Sequence, residues 1–443
     1  MRIGILAGGG RLPLMIAESA TARGANVHIV AIRGEADPEI ERFAHTWVNW
    51  GQIGRMLATL RREGGRQLVI AGGVRRPDFL HIRPDAGFFA SLPQILGLIA
   101  AGGDDSVLTR VVRFFEGKGL EVRGAHEIAP DLLADVGDMA LTGLNDADRR
   151  DAEIGFAVRR RLGRLDAGQS VVVADGRVLA IEGAEGTDRM LERVLGLPDR
   201  EEATLRRGVL TKGPKPGQEL RIDMPAIGPR TVDGVVAAGL AGIVVESGAV
   251  LMLDREETLR RADANSCAVH GLAAEASARE AAPARPLRAH LIGRVRPSRR
   301  DLGDIERGIA IVTRLAAFAT GTAAVVARAH VLAVEGAEGT AAMLARVRGL
   351  RQWSDRRSRR RLGALVCRAA PAADQALTVL LQQAVLQDLA AVAIAGKGPL
   401  LEDARDAART ADDLGLCLVT CETGGELAPM REGLAPHDGH ATG

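Results

Sequence analysis

The 443-residue sequence predicts an α/β protein: a Rossmann-like parallel-sheet N-terminal domain, a mixed α/β second domain, and a degenerate duplicate of that second domain. Three observations carry this expectation. Short apolar runs alternate with helix-patterned stretches to about residue 130. A hairpin signal then breaks the alternation, and a 20-residue string recurs 153 residues downstream.

Arg2–Ala7 is an apolar run closed by Gly8-Gly9-Gly10, and Leu12–Arg23 keeps helical spacing up to Gly24. Val27–Ile32 is the next strand, Ile53–Glu63 a helix stopped by Gly64-Gly65, and Leu68–Ala71 a strand running into Gly72-Gly73. A helix from Ser106 to Gly117 and a strand over Leu120–Arg123 complete the series. Apolar strands alternating with amphipathic helices require a parallel sheet covered on both faces. Ligands of such sheets bind beyond the carboxyl ends of the strands, where these glycine turns fall.

After Leu141 a helix over Arg150–Leu165 leads into strands Ser170–Ala174 and Arg177–Ile181, joined by the hairpin dipeptide Asp175-Gly176. Helix Thr187–Leu197, strand Gly208–Thr211, helix Thr231–Ala238 and a strand pair, Gly242–Val245 with Ala249–Leu253, bring this domain to about Leu272. Residues 273–288 are Ala, Glu, Arg and Pro without apolar period, and predict a linker. Val331–Leu350 then repeats Val178–Leu197 with 15 of 20 residues identical. In the same register Asp151, Glu153, Gly155, Arg161 and Leu162 meet Asp304, Glu306, Gly308, Arg314 and Leu315. Domains are therefore expected at 1–135, 141–272 and 289–423, with a flexible tail at 424–443.

Composition excludes several classes. A net charge of +2, from 58 basic and 56 acidic residues, does not suit a chain that coats nucleic acid. The richest apolar stretch, Gly87–Ala101, is broken by Pro93 and Gln94 and falls short of the ~18–20 residues of a membrane span. The N-terminal apolar run is too short for a secretory signal. Four cysteines (Cys267, Cys367, Cys417, Cys421) form no CxxC pair and predict reduced, buried thiols in a cytoplasmic protein. Only four lysines occur (Lys118, Lys212, Lys215, Lys397), and two fall in one short segment.

That segment is the strongest local signal. Lys212-Gly213-Pro214-Lys215-Pro216-Gly217-Gln218 is followed by Arg221-Ile222-Asp223-Met224-Pro225. Its Gly/Pro density fixes an unusual loop. Two cations and one carboxylate flanked by apolar residues are what phosphoryl chemistry needs, to neutralise developing charge and to hold a metal or orient water. A structural loop with a surface lysine pair is the plainer alternative. Gly8, Gly9 and Gly10 offer backbone N–H groups to an anion at a helix N-terminus, or simply make a tight turn. Pro13 stands where a dinucleotide fingerprint has its third glycine, and the second strand lacks the ribose-binding acid, which disfavours a nicotinamide oxidoreductase. Gly72 and Gly73 occupy an equivalent strand end, followed by Arg75 and Arg76, either of which could grip a diphosphate bidentately. His126 is a candidate acid/base or hydrogen-bond donor, or a structural histidine at a domain junction. Glu182 and Glu185, beside Thr187 at a helix start, are candidate metal approaches, although their retention in both copies suits a structural motif. Gly87–Ala101 could meet acyl chains or form a buried helix. The second copy carries no counterpart of the Lys212–Asp223 loop; over Leu365–Leu377 only Arg368 and Asp374 remain.

Taken in order, GILAGGGRLP, IRGEADPEI, GQIGRM, AGGVRRPD, GGDD, GAHE, VVVADGRVLAIEGAEGTDRML and KGPKPGQELRIDMPAIGP make residues 1 to about 272 resemble the UDP-2,3-diacylglucosamine pyrophosphatase family of the LpxI type. The resemblance implies Mg²⁺-dependent hydrolysis of UDP-2,3-diacylglucosamine to 2,3-diacylglucosamine 1-phosphate (lipid X) and UMP, in lipid A biosynthesis. It implies that Asp223 is the essential aspartate and metal ligand. Leu12, Gly72, Thr142, Thr187 and Lys212 become substrate contacts, and the glycines of the first turn and His126 line the same cleft. Lys215, Gln218, Gly73 and Arg76 join them on the grounds given above. The implied partner is a lipid-linked nucleotide sugar, met by a cytoplasmic protein in transient contact with the inner membrane. The extra repeat departs from the family pattern. It suggests a monomer whose two copies pack as an internal pseudo-dimer, with a homodimer as the alternative. A non-catalytic UDP-sugar-binding sensor that uses the repeat for partner contact is the competing function.

Overall fold

The structure is a computed structural model that describes residues 1–74, 83–94, 104–163, 165–198, 205–273, 285–286, 288–350, 361–368, 374–396, 404–422, 427–428 and 435–436. It divides into two compact units. The first is 1–143, 212–233 and 244–274; the second is 144–211, 234–243 and 275–443.

In the first unit, strands β1 (Arg2–Ala7), β2 (Asn26–Ile32), β3 (His45–Val48), β4 (Gln67–Ala71) and β5 (Glu121–Arg123) form one sheet in the order β3-β2-β1-β4-β5, every pair parallel. This is the order of a doubly wound sheet, whose direction of winding reverses between β1 and β4. Ile3, Ile5 and Ala7 face one apolar cluster and Leu6 the other, the alternation expected of a strand buried on both faces. Within this sheet, β3 is the strand that the sequence reading does not contain; it is a half-buried edge strand without an apolar period.

The remaining strands are β6 (Gly137–Asp138), β7 (Ser170–Ala174), β8 (Arg177–Ile181), β9 (Val209–Lys212), β10 (Ala226–Ile227), β11 (Gly242–Glu246), β12 (Leu251–Met252) and β13 (Ala268–Leu272). The sheet of the first repeat runs β6-β13-β11-β9-β7-β8. Strand β12 does not pair with β11, as the sequence suggested; it lies parallel to β10 in a separate two-stranded ribbon. Beyond β14 (Arg285–Pro286), the second repeat has β15 (Arg288–Leu291), β16 (Ala323–Ala327), β17 (His330–Val334), β18 (Ala364–Arg368), β19 (Ala391–Gly396) and β20 (Cys417–Glu422). Its order, β17-β16-β18-β19-β20-β15 with a short outer strand Ala435–Pro436, mirrors the first.

The duplication holds at the level of single bonds. Asp151, on helix Asp146–Leu162, accepts from the N–H groups of Asp175 and Gly176 at 3.0 and 2.8 Å. Asp304, on helix Arg299–Leu315, accepts from Arg328 and Ala329 at 2.9 and 2.7 Å. Each aspartate thus holds the turn of its own hairpin, and burial pushes the Asp304 carboxyl up, against those two N–H bonds. The turn of the first copy uses Asp175 and Gly176 at φ 51° and 76°, which suits a left-handed turn. The second copy forces Arg328 and Ala329 into φ 54° and 66°. A non-glycine residue there is strained by about 1 kcal/mol. Ala329→Gly should therefore stabilise the protein by about that amount, read as a raised thermal midpoint; an unchanged or lowered midpoint would count against a strained turn.

Candidate functional site

The site begins with two glycine turns that flank the reversal point of the parallel sheet. The N–H of Gly8 donates to the Ala71 carbonyl at 2.9 Å, that of Gly9 to Gly73 at 2.7 Å, and that of Gly73 back to Gly9 at 3.0 Å. A Cβ on Gly8 would lie 2.5 Å from the Gly73 oxygen, and one on Gly72 (φ 90°) 2.6 Å from the Gly9 oxygen. Glycine is required here because two backbones touch. The N–H groups of Gly8, Gly9 and Gly73 are engaged within the turns, which is the tight-turn alternative of the sequence reading. Gly10, at φ 89°, faces open space, and Leu12 begins the helix Leu12–Ala22, with Pro13 preset for its first turn.

Arg11 carries the turn outward to Asp254, Nε to Oδ1 at 3.0 Å. Asp254 precedes helix Arg255–Ala264 at φ 44° and gives it no side-chain cap. Immediately before it, the Leu253 N–H donates to Ile227 at 2.8 Å and the Leu251 N–H to Pro225 at 2.8 Å. The first glycine turn is thereby tied, through 251–254, to the strand that follows Asp223. Ile222 packs on the Leu6 face of the sheet, and Met224 and Ala226 on the Ile5 face. Asp223 therefore sits between residues anchored on both faces. Asp254 is not legible in the sequence, since nothing local distinguishes it from the chain's other acids.

Lys212 ends β9 and is 7% exposed, whereas Lys215 is half-buried. Gln218, itself buried, bridges the loop: its Oε1 accepts from the Lys215 N–H at 2.8 Å and its Nε2 donates to Asp223 Oδ2 at 2.6 Å. The amide expected to touch substrate is thus engaged with the candidate carboxylate. Arg221 adds pairs to Glu219 and Glu116, both at 2.8 Å, which pin the outer limb.

The other candidates fall as follows. The His126 ring lies against Gly124, and its Nδ1 is buried without a hydrogen-bond partner. Thr142 is half-buried, beside Leu141, whose N–H donates to Asp263 at 2.7 Å. Thr187 belongs to the second unit, where its hydroxyl donates to Glu182 at 3.1 Å and meets Ser170 Oγ at 3.1 Å. Thr340 does the same for Glu335 at 2.7 Å in the second copy, so this pair braces a strand–helix corner. Glu185 is held by Arg193 and Arg346. Glu182 is thus engaged at its own strand–helix corner and Glu185 with two arginines. Arg76 lies outside the described residues, as do Arg75 and much of Gly87–Ala101. Of that stretch, Phe89 is 61% exposed and Leu92 36%, so its described part is not a buried helix.

Among the described residues no group of three or more His, Cys, Asp or Glu could share a metal ion. A dedicated protein cage is therefore not present there. One carboxylate on a loop with lysines does fit the sparse way Mg²⁺ is bound, by one or two carboxylates plus substrate phosphate oxygens.

The second copy has lost this apparatus. Gly208 and Gly363, at φ 82° and 86°, press on Ala174 and Ala327 in the same manner. Four residues on, the position of Lys212 is Cys367, whose thiol burial pushes up to about 12, with Glu335 adding to it. Between Lys212 and the helix at Pro229 lie residues 213–228; between Cys367 and the helix at Asp374 lie only 368–373. No room remains for a loop like that of Asp223.

Comparison with known proteins now decides the family. Residues 2–132 match the LpxI N-terminal domain, and 135–270 and 288–419 each match the LpxI C-terminal domain. The chain belongs to the LpxI family. It is 41% identical over 264 residues to the UDP-2,3-diacylglucosamine pyrophosphatase LpxI of Caulobacter vibrioides, an alignment covering 59% of this chain and 94% of that protein. The functional expectation is corrected on this finding. A relative named as a pyrophosphatase, a hydrolase, overturns the non-catalytic sensor. The name carries neither a magnesium requirement nor a product pair, so the Mg²⁺-dependent reaction with its stated products gives way to the coarser statement of a diphosphate hydrolase.

Two tests follow from the geometry. Gly72→Ala should lower the thermal midpoint by the equivalent of about 1–3 kcal/mol, through backbone overlap with Gly9; an unchanged midpoint would deny the contact. Asp85 accepts from the N–H groups of Gly54, Arg55 and Phe88 at 3.0, 2.9 and 2.9 Å. Burial raises its carboxyl, but these bonds outweigh it and hold the group below its ordinary value. Its stabilisation is complete above the unfolded value of 3.8 and is lost as pH falls through the lower folded one. The difference in thermal midpoint between wild type and Asp85→Asn should accordingly be flat above pH 5 and shrink below pH 4.

Proposed function

We propose that the protein is a UDP-2,3-diacylglucosamine diphosphatase, a hydrolase of the phosphoric anhydride in a lipid-linked nucleotide sugar, and that the first copy alone carries the chemistry. The observation that supports this reading is one loop that presents Lys212, Lys215 and Asp223 in the same compact unit as the glycine turns at the sheet's reversal point. Such reversal points are where doubly wound sheets take nucleotides. Gly10 and the start of helix Leu12–Ala22 supply an open turn for the diphosphate.

Hydrolysis needs a water directed at phosphorus and positive charge where negative charge develops. Asp223 orients the attacking water, its carboxylate held in place by Gln218. Lys212, at the buried end of β9, offsets the charge that builds on the phosphoryl oxygens. Mg²⁺ arriving with the diphosphate would supply further charge neutralisation, and Asp223 is the side chain that would hold it. Exposed Phe89 and Leu92 fit the acyl part of such a substrate. No described helix is long and apolar enough to cross a membrane, and all four cysteines are buried and free. A lipid-linked nucleotide sugar as substrate places the enzyme, on this reading, in the cytoplasm, meeting its lipid at the membrane surface.

Purified full-length protein should hydrolyse UDP-2,3-diacylglucosamine. Asp223→Asn and Lys212→Met should each reduce kcat by about 10²–10³-fold, the usual cost of losing one electrostatic group at a reacting centre. Cys367→Ala, at the position equivalent to Lys212, should leave kcat within twofold. No turnover by the wild type, or a loss on changing Cys367 equal to that at Lys212, would refute the proposal.

A further inference from the structure

Within the second unit the two copies meet across a reciprocal interface. The Ala184 N–H donates to the Leu332 carbonyl at 3.1 Å, and the Ala337 N–H to the Leu179 carbonyl at 2.8 Å. These pairs exchange under the 153-residue offset, as a two-fold operation requires. Gly183 and Gly336 permit the approach: a Cβ there would lie 2.7 Å from the Leu332 oxygen and 2.2 Å from the Leu179 oxygen. Between them four charges alternate in a ring. Arg193 binds Glu185 at 2.6 Å within its copy and Glu338 at 3.0 Å across; Arg346 binds Glu338 at 3.0 Å within its copy and Glu185 across. Their side chains are only 3–18% exposed. Val158, Leu162, Val171 and Ile181 of one copy share a single apolar core with Ile305, Ile309, Val312 and Leu315 of the other.

The interface buries two carboxylates and two guanidiniums, one of each from either copy, and an unrelated surface packed over one copy would bury its pair without the cross-copy partners. Its partner must present the same residues in two-fold relation. We infer that the degenerate copy is retained as a covalently attached mate for the first, so that one chain contains a two-fold domain pair and the protein is a monomer in solution. Gly183, Ala184 and Glu185, with their counterparts Gly336, Ala337 and Glu338, are interface residues that lie in the string both copies keep. This inference stands apart from the proposed hydrolysis, since a catalytically inert chain would show the same assembly.

The test uses the full chain. Light scattering across a hundredfold range of concentration should give 46.7 kDa throughout, with a thermal midpoint independent of concentration. A mass near twice that value, or a midpoint rising with concentration, would overturn the inference. A double-mutant cycle on Arg193→Met and Glu338→Gln reads the cross-copy pair directly: each single change should lower the midpoint, and the double change by less than their sum. Additive shifts would overturn the ring as the bond between copies, and the mass measurement on wild type decides the matter if a variant does not fold.

Discussion

The contact on which the first unit depends is backbone against backbone. Gly8 and Gly9, leaving β1, exchange hydrogen bonds with Ala71 and Gly73, leaving β4, at separations that no side chain could occupy. Helices leaving adjacent strands at a reversal point diverge to opposite faces of the sheet, which opens a crevice there. The glycine contact sets how narrow that crevice is at its base. Arg11 and Asp254 then connect the turn to the ribbon that follows Asp223, so the carboxylate is placed by the same set of contacts.

Duplication separates what the domain needs in order to fold from what it needs in order to react. Both copies keep the aspartate that holds the hairpin turn, the glycine on its helix (Gly155, Gly308) that lets a strand side chain close in, and the threonine–glutamate corner. Both keep the arginine–glutamate pair from which the ring is built. Where the first copy buries a lysine at a strand end, the second buries a thiol that burial keeps protonated. A buried cation is costly without compensating charge. Without such a loop, an uncharged side chain is the less costly occupant of that position.

Much of this was legible in the sequence, for identifiable reasons. Strands β1, β7 and β8 and the helix Ile53–Glu63 are bounded by glycines or by a hairpin dipeptide, so periodicity and punctuation agreed on their limits. Strand β3 has no such period, and the two-residue strands β10 and β12 are too short to show one, which is why the sequence points β12 to β11 where the fold pairs it with β10. Chemistry concentrated in one loop made Lys212 and Asp223 visible. Gln218 was visible as a residue but not as the amide that holds Asp223, because its partner is fixed by the fold of the loop. The ring residues all lie in the repeated string, yet their pairing across copies joins positions about 150 apart and depends on tertiary packing.

One measurement bears most directly on the claim that a single copy carries the site. Calorimetric titration of UDP-2,3-diacylglucosamine into the full-length Asp223→Asn protein, which should bind without hydrolysing, counts sites per chain. The account predicts one site. Two sites would show that the second copy still takes the substrate without its lysine and loop, and none would remove the first copy's claim to it.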